Sequence, residues 1–269
     1  MPRWMKRAGI GITGLLLLLA LCAAMAEHHA RRLAGLDHPA PGRLVDVGDR
    51  RIQIDCRGSG SPTVVFESGL DILGALSWVE VRDSVATTTR TCTYSRAGLV
   101  WSDPSSGPFD VEAMAHDLHA ALLASAEHPP FVMVGHSMGG PYSLVFTGLY
   151  PREVAGLVLV DASHPDQVQR LRDAGIKIDE TNPSFILKAI AALAWSGLPR
   201  MIPALRVDSN RPIHVQRVGN AYLATSFAAV LRELEGANAA LTTSGHIRNL
   251  GDRPLRVLTA GRALSDETL

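Results

Sequence analysis

The chain has 269 residues, 46% of them hydrophobic, enough to bury one large core and consistent with a single domain carrying an insertion. Lysine plus arginine balance aspartate plus glutamate at 26 each, and no Lys/Arg run exceeds a pair. That argues against nucleic acid as a partner, since phosphate binding needs a concentrated basic surface. No metal-ligand cluster, P-loop or dinucleotide fingerprint occurs, so no cofactor and no metal are implied.

In chain order, Arg3, Lys6 and Arg7 precede an uncharged apolar run over 8–26, with Leu15 to Leu19 at its centre. Two readings compete. Ala24-Met25-Ala26 resembles the small-x-small cleavage site of a secretory signal peptide. Alternatively, the run is just long enough to cross a bilayer as an uncleaved anchor. Cys22 follows Leu21, which is too bulky for a good lipidation site, and Arg31 and Arg32 weaken the charge asymmetry that sets orientation. Nothing in the run marks a solvent face, which argues against a buried core helix. Both readings place the globular part outside the cytoplasm, exported or anchored to the membrane through this segment. Residues 27–41 read as a polar, Pro-punctuated linker, so the domain proper spans 42–269 and the N-terminal segment 1–41.

Segments 44–47 and 51–56 alternate in polarity around Gly48-Asp49-Arg50 and read as a hairpin. After the loop Gly58-Ser59-Gly60-Ser61-Pro62, residues 63–67 read as a more fully buried strand. A helix is expected over 73–86 and a strand over 91–94. Residues 110–126 place Val111, Met114, Ala115, Leu118, Ala121 and Leu122 on one helical face. Apolar strands are expected at 131–134, 154–160 and 255–259. Strands alternating with helices imply a mainly parallel sheet covered on both faces. Cys56 and Cys92 each fall in a strand-like segment and read either as a pair or as two buried free thiols.

Residues 166–248 look helical and contain no clear strand, with Phe185, Ile186, Ile190, Leu193, Trp195 and Leu198 among their apolar positions. About 80 residues is too many for one crossover connection, so this insertion is expected to form a cap over the strand ends.

The most specific signal is Gly135-His136-Ser137-Met138-Gly139, between the apolar run Phe131-Val132-Met133-Val134 and a helical run over 141–150. A Gly-x-Ser-x-Gly at a strand-to-helix junction is a nucleophile elbow. The tight turn strains the serine backbone and leaves no room for side chains at the flanking glycines. It also holds the hydroxyl at a helix N-terminus, where partial positive charge favours a developing oxyanion.

On this elbow, on Tyr94-Ser95-Arg96-Ala97-Gly98-Leu99-Val100-Trp101-Ser102 and on Leu157-Val158-Leu159-Val160-Asp161, the chain resembles the α/β-hydrolase family from about residue 42 to residue 261. The second segment looks like the family's D-R-x-G-x-G-x-S loop, with Ser95 in place of Asp and Val100 in place of Gly. The resemblance implies an α/β fold: an eight-stranded, mostly parallel sheet whose second strand is antiparallel, with a helical cap after the sixth. In that order the second and fourth strands are neighbours, so the resemblance implies that Cys56 and Cys92 face one another and, with export, form a disulfide.

The resemblance also assigns roles. Ser137 is the expected nucleophile, and the backbone N–H groups of Met138 and Leu70 are the expected oxyanion donors, with Ser68 where many members have His. For the acid, Asp161 after the sixth strand competes with Asp266 and Glu267 after the seventh, and Asp161 is favoured. The base is the difficulty. The family places its histidine after an eighth strand, but this chain has none beyond His246, which reads as a helix-surface residue. His136 points away from the base position in related proteins, and His164 is on the wrong loop. The expectation is therefore a chain lacking the last strand, the last helix and the general base. Function is expected to be that of a serine hydrolase cleaving an uncharged acyl ester, a small-molecule substrate, through an acyl-serine intermediate. The cap would line its pocket through Trp195, Ile202 and Phe227. Dehalogenases and epoxide hydrolases of this fold use an aspartate nucleophile, against which Ser137 argues. The competing expectation is a catalytically impaired or non-catalytic binding protein of the same fold.

Overall fold

A computed structural model describes residues 2–176 and 183–259. Its elements in chain order begin with helix α1 (Arg3–Asp37), the hairpin β1 (Arg43–Asp46) and β2 (Arg51–Arg57), and β3 (Thr63–Glu67). A 3-10 turn at Gly74–Trp78 leads into α2 (Val79–Val85), followed by β4 (Thr91–Ser95), α3 (Val111–Ala124), β5 (Phe131–His136), α4 (Gly139–Leu149) and β6 (Val154–Val160). The insertion holds α5 (Gln167–Asp173), α6 (Phe185–Ala192), α7 (Ile213–Ala221) and α8 (Leu223–Gly245), and β7 (Leu255–Leu258) follows.

The strands form one sheet in the order β1-β2-β4-β3-β5-β6-β7. β2 runs antiparallel to β1 and β4, whereas β4, β3, β5, β6 and β7 are all parallel. In the β2–β4 ladder Cys56 lies opposite Cys92, and their sulfurs are joined at 2.07 Å.

Alternation along the parallel strands sends two apolar sets to opposite faces. Val65, Met133 and Leu157 join Leu118, Leu122, Tyr142, Phe146 and Leu241 from α3, α4 and α8 in the main core. On the other face Phe66 and Val134 pack with Trp78, with Val132, Val158 and Val160 at the margin. Helix α3 starts at the N-cap Asp110, whose carboxylate accepts the Glu112 and Ala113 amides, so a donor left orphaned by the helix start is satisfied.

Two features differ from the sequence reading. Residues 27–37 are not linker: α1 continues unbroken from the apolar run to Asp37. Glu27 is buried and accepts hydrogen bonds from Arg200 Nε at 2.7 Å and Nη2 at 3.1 Å, while Arg31 pairs with it at 2.8 Å. Tyr222 Oη donates to the carbonyls of Ala34 and His38, and Trp101 Nε1 donates to His38 as well. The end of α1 is thus anchored to the insertion by contacts that only the folded chain brings together.

The insertion, moreover, is not cap alone. The C-terminal half of α8 supplies Ala237, Ala240 and Leu241 to the main core beneath the sheet. Its N-terminal half clusters Leu223, Phe227 and Leu231 with Leu187 and Ile190 of α6. One helix therefore serves both as a sheet cover and as the spine of the cap.

Candidate active site

Ser137 occupies the first position past β5 with φ of 52°, in the left-handed region that a non-glycine residue adopts only at a cost. The elbow glycines explain why the turn can close. A Cβ on Gly135 would sit 2.3 Å from the Gly139 carbonyl oxygen, and one on Gly139 would sit 2.3 Å from the Glu67 carbonyl oxygen. Both clashes are with backbone that cannot move aside. The turn is further tied by the Gly140 and Ser163 amides, which donate to the Ser137 carbonyl at 3.0 and 2.9 Å.

The loop after β3 lies directly against the serine. A Cβ on Gly69 would approach Ser137 Cβ to 3.0 Å, which puts Leu70 at the edge of the elbow. Met138, buried at the N-terminus of α4, flanks the serine on the chain. Neither the Leu70 nor the Met138 amide donates to an acceptor among the described residues. Both N–H groups are therefore free to take an acceptor from outside the described residues.

Asp161 stands one residue past β6, as Ser137 stands one past β5, and His136 and Val160 are ladder partners, so the two are brought to the same sheet edge. Asp161 also has positive φ, 44°, and its exposed carboxylate has no hydrogen bond or ion pair with a described residue. Asp266 and Glu267 lie outside the described residues.

Among the described residues nothing hydrogen-bonds to Ser137 Oγ. His136 is exposed, with its ring edge-on to Trp78 at 6.3 Å between centroids. His164 is engaged locally, its Nδ1 accepting the Asp166 amide at 3.0 Å. His246 caps the end of α8 and is exposed. Of the pocket residues expected in the insertion, Phe227 is buried in the α8–α6 cluster, whereas Trp195 is exposed.

A buried constellation that local sequence pattern does not reveal lies behind the loop after β3. Arg96, in the loop after β4, is almost wholly buried and makes bonds to both sides of itself. Its Nη1 donates to Glu67 Oε1 at 2.7 Å and to the Ser68 carbonyl at 2.8 Å, and its Nη2 to the Gly69 carbonyl at 2.7 Å. On the other side it forms a fork with Glu233 of α8 at 2.9 and 2.8 Å. Tyr94 Oη donates to Glu67 Oε2, and the guanidinium lies 5.1 Å from the Tyr142 ring centroid. Arg96 thereby fixes the carbonyls of the segment that presents Leu70. Burial opposes its charge, but Glu233 and Glu67 outweigh that and raise its pKa above the usual arginine value. Burial pushes the Glu67 carboxyl up to about 7, against the pull of Arg96 and Tyr94. Glu67 and Glu233 are far apart in sequence. The one local clue is a charged residue closing an otherwise apolar strand.

The cavity behind this network, about 310 Å³, is lined by Arg50, Arg96, Phe109, Asp117 and Glu233 among others and not by the elbow. Cys56, Cys92 and Glu127 lie close together, but the sulfurs are bonded to each other and Glu127 is paired with Arg90, so no thiolate is on offer to a metal.

Residues 62–194 match the model of a family described as having the α/β-hydrolase fold. An uncharacterised protein of Schizosaccharomyces pombe is 27% identical over 260 residues, covering 84% of this chain but 47% of the relative. The chain thus spans about half the length of that curated relative. A haloalkane dehalogenase from Agrobacterium tumefaciens superimposes with a TM-score of 0.59 at 15% identity, covering 81% of this chain and 78% of that one. An esterase from Exiguobacterium antarcticum superimposes with a TM-score of 0.54 at 18% identity over 70% of each chain. With its sheet order, its elbow and these matches, the chain has the α/β-hydrolase fold.

Proposed function

We propose that this site belongs to a serine hydrolase that cleaves an uncharged carboxylic ester, or a similar acyl substrate, through an acyl-serine intermediate. The observation that carries the reading is Ser137 at φ 52° beside two unengaged main-chain amides, those of Met138 and Leu70. In this chemistry Ser137 Oγ attacks the acyl carbon and gives up its proton to a base. The two amides hold the tetrahedral oxyanion, the alcohol leaves with a proton, and water then releases the acid from the serine. An aspartate nucleophile would form an alkyl ester with a halide or epoxide carbon; a serine at the elbow supports acyl transfer instead. Asp161 is the proposed acid that orients the base. A serine hydroxyl without a base loses several orders of magnitude in rate and keeps only what the oxyanion site supplies.

That last point gives a second reading its footing. Because no described residue hydrogen-bonds to Ser137 Oγ, a binding protein that retains the fold without turnover is the alternative. A fluorophosphonate probe separates the two. Labelling of the full chain that disappears in Ser137→Ala is the expected outcome. A folded protein that takes up no label would refute the acyl-serine reading and leave the binding one.

We also read α1 as a membrane span, with Arg3, Lys6 and Arg7 on the cytoplasmic side and the hydrolase domain on the other.

A further inference from the structure

The insertion carries an exposed apolar surface that the acyl-transfer chemistry does not use. Phe185 and Ile186, in the first turn of α6, are 83% and 69% exposed, and Met201 is 75% exposed. Trp195 is 44% exposed. These four fall within 17 residues, on α6 and on two 3-10 turns, Ala194–Ser196 and Leu198–Met201, that contact it and one another. Large apolar side chains left exposed this close together in the chain, on elements that touch, are candidates for an interaction surface.

The same two turns hold the root of α1. Arg200, next to Met201, makes the two hydrogen bonds to Glu27, and the Ala194 carbonyl, next to Trp195, accepts from Arg31 at 3.3 Å. Gly197 joins the two turns in the left-handed conformation, φ 77°, where a Cβ would sit 2.9 Å from Glu27 Oε2. The cap is therefore shaped to receive Glu27, the first residue after the apolar run.

That position sets a height. Leu15 to Leu19, Leu21 and Met25 are exposed, so the described residues leave these large side chains of the run uncovered. At about 1.5 Å per residue its 19 residues reach ~29 Å, the thickness of a bilayer's hydrocarbon core. Glu27 then stands at headgroup level, and so do the groups that grip it. Met201 and Trp195, each one residue from a contact with α1, are carried to the same level, and tryptophan is enriched there.

We propose that the cap surface formed by Phe185, Ile186, Trp195 and Met201 rests on the lipid bilayer that α1 crosses. The inference depends on the reading of α1 as a span and not on the catalytic reading. It makes α1 a rigid mount that seats the cap on the membrane, not a tether. Glu27 and Arg31, bonded to the cap turns, transmit the orientation.

The test uses the full chain with Cys22→Ser, leaving the Cys56–Cys92 disulfide in place, and an environment-sensitive fluorophore on Phe185→Cys or Met201→Cys. Glu112→Cys, exposed on the sheet-covering helix α3, is the reference. Each protein is reconstituted into phosphatidylcholine–phosphatidylglycerol vesicles containing a lipid with a nitroxide high on its acyl chain. Quenching at 185 and 201 at least about twofold above that at 112 is expected, with matching shielding from aqueous iodide. Protein that resists carbonate extraction yet shows equal quenching at all three sites would overturn the cap proposal and leave the span intact. Protein released by carbonate, or cut after Ala26, would overturn both. Because the two cap sites are exposed and tested separately, misfolding of one variant does not decide the result.

Discussion

At the scale of single residues, the elbow is governed by space that glycine alone leaves free. Gly139 faces the Glu67 carbonyl so closely that even a methyl group would overlap backbone. Gly139→Ala must push β3 and α4 apart or unwind the turn, and a cost of about 3 kcal/mol or more is expected in urea denaturation. A loss below about 1 kcal/mol would mean that the turn has slack. The requirement for small residues was legible in the sequence, because Gly-x-Ser-x-Gly follows an apolar strand and opens a helix. The identity of the obstructing atom was not, since Glu67 lies in another strand.

At the scale of elements, most strands and helices were legible because period and punctuation agreed. The buried strand Thr63–Glu67 and strand Val154–Val160 have the bounds that their apolar runs imply. Residues 27–37, a linker by their polarity, are the last three turns of α1. Their polarity suggested loop, but a polar helix persists where partners hold it, and here the partner Arg200 is 173 residues away from Glu27. The β2–β4 pairing likewise rests on a distant contact, and its disulfide closes a loop with a sequence separation of 36. Restricting the unfolded chain in this way is worth about 2–4 kcal/mol. The double variant Cys56→Ser/Cys92→Ser is expected to lose unfolding free energy by that margin and to melt at a lower temperature, and wild type measured in reductant should match it. Unchanged melting in both would show that the crosslink adds nothing to the fold.

For the whole molecule, the Arg96 cluster is the joint between the sheet and the insertion. Glu67 closes β3, Arg96 follows β4 and Glu233 belongs to α8, so one guanidinium ties three separate parts. This has a consequence for stability against pH. The Glu67 carboxyl, pushed up mainly by burial to about 7, stays protonated in the fold where the unfolded chain, at 4.5, has already ionised. The folded state therefore binds an extra proton between those values, and stability falls as pH rises through them. The contribution is full below the lower value and lost above the upper one, amounting to up to about 3 kcal/mol. Glu67→Gln removes the titration. Unfolding free energies measured from pH 4 to 8 should fall more steeply for wild type than for the variant, and parallel curves would refute the assignment.

The sequence by itself determined the fold family, the place of the elbow, the parallel core strands and the bilayer-length apolar run. Each depends on local pattern: which residues follow which, with what spacing. Only the tertiary structure decided that α1 roots in the cap, that α8 both covers the sheet and supports the cap, and that Arg96 braces the loop carrying Leu70. Those are contacts between residues tens to hundreds of positions apart. A buried carboxyl such as Glu27, Glu67 or Glu233 looks like any surface carboxyl until the chain folds and supplies the arginine that makes its burial tolerable.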